Sequence, residues 1–189
     1  MDYSAMHPQE VKKLIRESKI DFQTSGMCAG YAQANLCILP KDYAFDFLLF
    51  CMRNPKPCPI LEVGDVGSRE FKAMASEGDV CTDFPKYRIW KNGVLEKEVT
   101  DISEYWQDDF VYFLIGCSFS FESEMLEADI PVRHIEENVN VPMFNTNIEL
   151  ASAGAFHGNM VVSMRPIPND LVVKAVEVTA AMPKVHGAP

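Results

Sequence analysis

Three short stretches set polar, chemically capable side chains inside apolar sequence. Gly116-Cys117-Ser118-Phe119-Ser120-Phe121-Glu122 brings serine hydroxyls, a thiol and a carboxyl close together. At the start of a helix, Ser118 or Ser120 would lie among free backbone N–H groups, where a carboxylate or an oxyanion is favoured. The plain structural alternative is a serine N-cap answered by Glu122. Cys117 would be a nucleophile only beside a basic partner and is otherwise a buried, inert thiol. Arg133-His134 follows Pro131-Val132; on a strand the two side chains would face opposite ways, so at most one would enter a given cleft. In Met160 to Pro166, alternation puts Val161, Ser163 and Arg165 on one face, and a cation on so apolar a strand is expected to be paired or functional. Lys56 sits in Asn54-Pro55-Lys56-Pro57-Cys58-Pro59, a loop stiffened by prolines, which could equally be solvated surface. His186-Gly187 stands near the end of the chain. The marks of other chemistries are missing: there is no G-x-x-x-x-G-K-[ST], no G-x-G-x-x-G after a strand and no G-x-S-x-G. Neither C-x₂₋₄-C nor H-x₃₋₅-H spacing occurs, so no metal site is expected.

Elements must position these groups. Pro8 to Lys19 reads as a short amphipathic helix opened by proline, with Val11, Leu14 and Ile15 on one face. The stretch from Gly30 to Pro40 is ambiguous. A helix from Tyr43 to Met52, capped by Asp42, is apolar nearly all round and is predicted to be buried. Pro57 to Val63 reads as a short edge strand. Asn92-Gly93 between Tyr87–Trp90 and Val94–Val99 is a hairpin signature. A helix is predicted from Asp101 or Ser103 through Tyr105, Trp106, Phe110, Phe113 and Leu114 to Gly116, and a second over Glu122 to Ala128. Ile130–Ile135, Met160–Pro166 and Val139–Phe144 read as strands, and Asn169 caps a last helix through Val172, Ala175 and Val176. The expected class is α/β: a mixed sheet with flanking helices in two closely packed lobes, the smaller, about 64–125, holding the hairpin.

The chain of 189 residues and 21.3 kDa suits a single domain or two small lobes. With 48% hydrophobic and 23% charged residues, it should bury a core without staples. The formal charge of −10 argues against nucleic acid and anionic membranes as partners, because both are held by basic residues. A small anionic substrate would need a local basic pocket working against that field. No stretch reaches the ~20 apolar residues of a membrane span, and the first thirty residues lack a signal-peptide core. Six scattered cysteines without a CxxC pair suit a reducing cytoplasm.

Several unusual strings occur together in one order. They are Gln33-Ala34-Asn35-Leu36, the Asn54 to Pro59 loop with Glu62, Thr82-Asp83-Phe84-Pro85-Lys86-Tyr87-Arg88 and Ile115 through Glu122 (IGCSFSFE). Val132-Arg133-His134, Val141-Pro142-Met143, Met160 through Pro166 (MVVSMRP) and His186-Gly187-Ala188-Pro189 complete the set. From Met27 to Pro189 the sequence resembles the D-glutamate cyclase family and its bacterial hydro-lyase branch. The resemblance implies a two-lobed α/β fold, no organic cofactor, and a lyase that removes water from D-glutamate to give 5-oxo-D-proline or from a related small carboxylic acid. The alternative is a non-catalytic protein that binds a small carboxylate. Similar chains continue past His-Gly-Ala-Pro, so residues 1–189 are expected to be one C-terminally shortened domain. Its expected partner is a second copy or its own continuation, packed on apolar surface that is otherwise exposed.

On that reading Arg165 and Arg133 are the expected carboxylate clamps, because guanidinium pairs with carboxylate bidentately. Ser163, Lys56 and Asn35 complete the substrate-binding set. Ser118 and Ser120 are expected to donate to an oxyanion or carboxylate, and His134 or Glu122 to shuttle the proton. The segments bearing Ser118, His134 and Arg165 should then converge on one cleft.

Overall fold

The computed structural model describes residues 2–188; Pro189 of the terminal His-Gly-Ala-Pro string lies outside them. The chain opens with α1 (Pro8–Arg16), whose start is fixed by a reciprocal cap. His7 accepts from the Gln9 N–H, the Glu10 carboxylate accepts from the His7 N–H, and Pro8 needs no partner for its nitrogen. Val11 and Ile15 bury the helix against Ile20 and Met27. Then follow β1 (Ala34–Pro40), α2 (Lys41–Arg53), β2 (Ile60–Val63), β3 (Tyr87–Lys91), β4 (Val94–Val99), β5 (Phe110–Gly116), α3 (Glu122–Glu127), α4 (Arg133–Glu136), β6 (Met143–Glu149), β7 (Asn159–Ser163) and α5 (Val172–Ala180).

The mixture of helices and strands is the α/β class expected, and its strands form three small antiparallel sheets: β1-β5-β2, β3-β4 and β6-β7. The core is built on β5, which pairs on both edges. Ala34 lies opposite Gly116, Pro40 opposite Phe110, and Ile60 opposite Ile115. The stretch 110–116 is therefore a strand where the sequence pattern gave a helix. Only a single 3₁₀ turn, Ser103–Tyr105, remains helical. Val111, Tyr112, Phe113 and Leu114 are all buried; a continuous apolar run of this length fits either element, and pairing on two edges decides it.

Other expectations change: β6 begins only at Met143, so 139–142 are not strand, and Asn169 starts a 3₁₀ turn whose N-cap is Pro168, while α5 has Leu171 as its N-cap. Residues 130–132 are irregular and 133–136 form the short helix α4, because Asp129 turns left-handed (φ 58°) and Pro131 cannot donate to a ladder. Helix α2 is apolar nearly all round yet buries one face. Phe47 and Phe50 pack on Phe113 and Phe156, while Phe45 (72% exposed) and Met52 face outward, and its N-cap is Pro40 instead of Asp42. The hairpin forms as read: Asn92 (φ 49°) and Gly93 (φ 78°) supply the positive angles its two-residue turn requires. The β6-β7 ribbon pairs with no third strand among the described residues, and Met143, Phe144, Ile148 and Val161 on it are at least half exposed.

Two tight points hold the layers. Gly116 meets the 3₁₀ turn Pro183–Val185 so closely that a Cβ would lie 1.9 Å from the Lys184 carbonyl oxygen. Gly116→Ala should therefore cost about 1–3 kcal/mol, seen as a lower urea midpoint. At the other side, Glu62 accepts from the backbone N–H groups of Lys72, Ala73 and Met74 (2.7–2.8 Å) and from the Tyr112 hydroxyl (2.5 Å). Burial works to raise the Glu62 carboxyl, but these donors outweigh it and hold it below the usual carboxylate range. A carboxyl lowered by folding contributes stability above its unfolded value and loses it as pH falls through the folded value. Melting temperature should thus drop more steeply below about pH 4 in the parent than in Glu62→Gln.

Candidate functional site

The 3₁₀ turn Ser118–Phe121 runs directly into α3 and delivers Glu122, the first helical residue, into the interior at 1% exposure. Its carboxylate collects partners from distant segments. Arg165, just past the end of β7, places Nη2 at 2.5 Å and Nε at 3.2 Å from Oε1. His134 on α4, 3% exposed, places Nε2 at 2.8 Å from the same oxygen. Ser25, in the loop after α1, donates its hydroxyl to Oε2 at 2.7 Å and stands 3.4 Å from His134 Nε2.

The guanidinium is pinned on every side. Nη2 also donates to Ser118 Oγ (3.0 Å), Nη1 donates to Ser163 Oγ (3.1 Å), and the Phe121 ring lies under it at 4.9 Å. The hydrogen positions follow from these contacts. Because Ser118 and Ser163 accept from a cation, each has its own O–H left to donate. Because His134 meets a carboxylate through Nε2, that nitrogen carries the hydrogen, and the lone pair of the neutral ring is on Nδ1. Among the described residues nothing donates to Nδ1.

The remaining expected residues fall elsewhere. Ser120 does not face the carboxylate: its hydroxyl accepts from the Gln33 N–H at 2.8 Å, and Gln33 Nε2 in turn donates to the Thr24 and Met27 carbonyls. Ser120 thus steadies the loop that carries Ser25. Neither Ser118 nor Ser120 caps α3, whose N-cap is Phe121. Arg133 points outward and pairs with Glu136 and Glu137. With Pro131, Glu136 and Pro166–Pro168 it lines a cleft of about 390 Å³ flanked in sequence by His134 and Arg165. Lys56 donates to the Gly187 and Ala188 carbonyls, while the His186 ring reaches back to the carbonyls of Gly116 (2.7 Å) and Lys56 (3.0 Å). Both residues fasten the C-terminal segment and stand outside the cluster. Asn35 is exposed on β1, opposite Ile115, and burial pushes up the thiol of Cys117, away from the reactive thiolate.

Ser25 is the participant that sequence reading missed. Thr24-Ser25-Gly26 has no periodicity, and only the distant anchor at Gln33 shows where it goes. Arg133→Ala should change kcat/KM by no more than about threefold, since its exposed ion pairs lie outside the cluster; steady-state kinetics beside an Arg165 variant would check this.

The chain is similar to proteins of one group. A family model described as D-glutamate cyclase matches residues 111–189, a stretch that holds Ser118, Glu122, His134, Ser163 and Arg165. A "Putative hydro-lyase" of Clostridium beijerinckii is 67% identical over 189 residues, covering all of this chain and 72% of that protein. "Putative hydro-lyase Teth39_1160" of Thermoanaerobacter pseudethanolicus is 62% identical over 189 residues, all of this chain and 71% of its own length. "Putative hydro-lyase YcsI" of Bacillus subtilis is 59% identical over 184 residues, 97% of this chain and 72% of that protein.

Proposed function

The chain belongs to the D-glutamate cyclase family, and from that premise we propose that it removes water from a small carboxylic acid at the Glu122 cluster, with intramolecular dehydration of D-glutamate to 5-oxo-D-proline as the best fit. The observation that supports this is one buried carboxylate held at once by Arg165, His134 and Ser25. So many polar groups are not needed for packing, and they are arranged for proton transfer beside an anion site.

The reaction sets the requirements. The ammonium of the amino acid gives up two protons, its nitrogen bonds to the carboxyl carbon of the γ-carboxylate (Cδ), and one oxygen of that carboxylate leaves with those two protons as water. No proton is gained or lost overall. A single group can therefore take a proton from nitrogen and return it to the leaving oxygen. His134 Nδ1 carries the free lone pair for this task, and Glu122 stabilises the imidazolium that forms, as an orienting carboxylate does for a catalytic histidine. Ser118 and Ser163, with their O–H groups polarised by Arg165, donate to the carboxylate oxygens and to the charge that develops when nitrogen attacks. Arg165 is a positioning residue here: four of its five N–H groups are already engaged, so it acts through the serines and Glu122 and does not clamp the substrate bidentately as first expected. Folding the substrate so that nitrogen stands ~3–3.5 Å from the side-chain carboxyl carbon supplies the proximity term.

Mass spectrometry of a panel of amino and hydroxy acids incubated with the protein tests the reading. Loss of one water from D-glutamate or a close analogue is the expected result. Saturable binding of the same acids without any water loss would instead make this a carboxylate-binding protein.

A further inference from the structure

A cleft of about 790 Å³ shares no residue with the Glu122 cluster. Arg16, at the end of α1, and Arg69 both line it. Each guanidinium is fixed from behind by a bidentate carboxylate. Arg16 binds Asp83 through Nε (2.6 Å) and Nη2 (3.0 Å), and Arg69 binds Asp79 through Nε (3.2 Å) and Nη2 (2.6 Å). Among the described residues nothing takes up Nη1 of either, so both present a rigid, unused pair of N–H donors. Glu70 and Glu77 also line the cleft, are exposed, and form no ion pair among the described residues. Phe71 adds an apolar surface, and Gly78 is required beside it because a Cβ there would lie 2.3 Å from the Phe71 ring.

Charge decides what such a cleft can hold. With Lys12 held at 3.4 Å from Asp83, the group has three cations (Lys12, Arg16, Arg69) and four carboxylates (Glu70, Glu77, Asp79, Asp83), and 3 − 4 = −1, inside a protein of formal charge −10. A simple anion meets repulsion there, and a simple cation leaves the arginine edges empty. A ligand with both charges and no net charge matches both sets of groups without opposing the long-range field. We propose that this cleft binds a free α-amino acid as its zwitterion, carboxylate towards the Nη1 edges of Arg16 and Arg69 and ammonium towards Glu70 and Glu77. The side chain of the ligand lies toward Phe71. The volume falls in the range usual for small-molecule sites, ~300–1,000 Å³. Such a ligand joins α1 to the 69–79 loop and is separate from the reacting substrate.

Titration calorimetry of the protein with alanine, N-acetylalanine, alanine methyl ester, succinate and inorganic phosphate tests this. Alanine should bind saturably in the millimolar range, and each blocked form should bind at least about tenfold more weakly, since each lacks one charge. The double variant Glu70→Gln/Glu77→Gln, whose altered side chains are exposed and should leave the melting temperature unchanged, should weaken alanine at least about tenfold. Ser118→Ala should leave alanine binding as it was. Equal affinity for N-acetylalanine, or binding of succinate or phosphate in place of alanine, would overturn the proposal. So would loss of alanine binding in Ser118→Ala, because the ligand would then occupy the Glu122 site.

Discussion

Arg165→Lys should lower kcat/KM by about a hundredfold or more although the charge is kept. The guanidinium holds Glu122 through two nitrogens and Ser118 and Ser163 through its fork. A lysine ammonium has three donors on a flexible stem and cannot reach those oxygens at those angles together. The serines would lose the contact that aims their O–H groups, and a displacement of about 1 Å at a reacting centre costs on the order of 10²-fold. Because Arg165 acts through other groups, both kcat and KM should move. A variant that folds normally and keeps the parent kcat/KM would remove Arg165 from the site.

Glu122→Ala should destabilise the protein by about 3–5 kcal/mol, as removing one partner of a buried ion pair does. The alanine would leave Arg165, whose side chain is 8% exposed, without its counter-ion, and would leave a void beside Met125 and Phe121 in the small core under α3. The double replacement Glu122→Leu/Arg165→Met separates stability from chemistry. Apolar residues of similar size at a buried ion pair are often neutral or stabilising, so the double variant should recover most of the urea midpoint lost by Glu122→Ala. It should recover no activity. A double variant as active as the parent would show that the pair serves packing alone.

What the sequence revealed follows from how local each signal is. The Asn92-Gly93 hairpin, the proline-opened start of α1 and the helix at Glu122 depend on neighbours a few residues away, and all three were legible; the His7–Glu10 cap of α1 was not read. Strand β5 was not, because its partners are 50–55 and 70–82 residues distant and nothing inside FVYFLIG separates a two-sided strand from a buried helix. The site divides in the same way. Ser118, Glu122, His134, Ser163 and Arg165 stood out as polar residues in apolar runs, and the structure brings them together. Arg133 stood out for the same reason and Lys56 for its proline-stiffened loop, yet Lys56 ties down the C-terminal segment and Arg133 forms surface ion pairs, because a charge in unusual company does not reveal its partner. Ser25 has no local mark at all. Its place depends on Gln33 and Ser120 holding the loop from outside.

The central claim is that the Glu122 cluster transfers the amine protons of a small amino acid onto an oxygen of its own carboxylate. D-Glutamate labelled with heavy oxygen in both γ-carboxylate positions, incubated with the protein beside Glu122→Gln and read by mass spectrometry of both product and water, tests it directly. The account predicts a cyclic product that keeps one labelled oxygen, water that carries the other, and no turnover in a Glu122→Gln protein that still folds. Unlabelled water, or equal turnover in the variant, would contradict it.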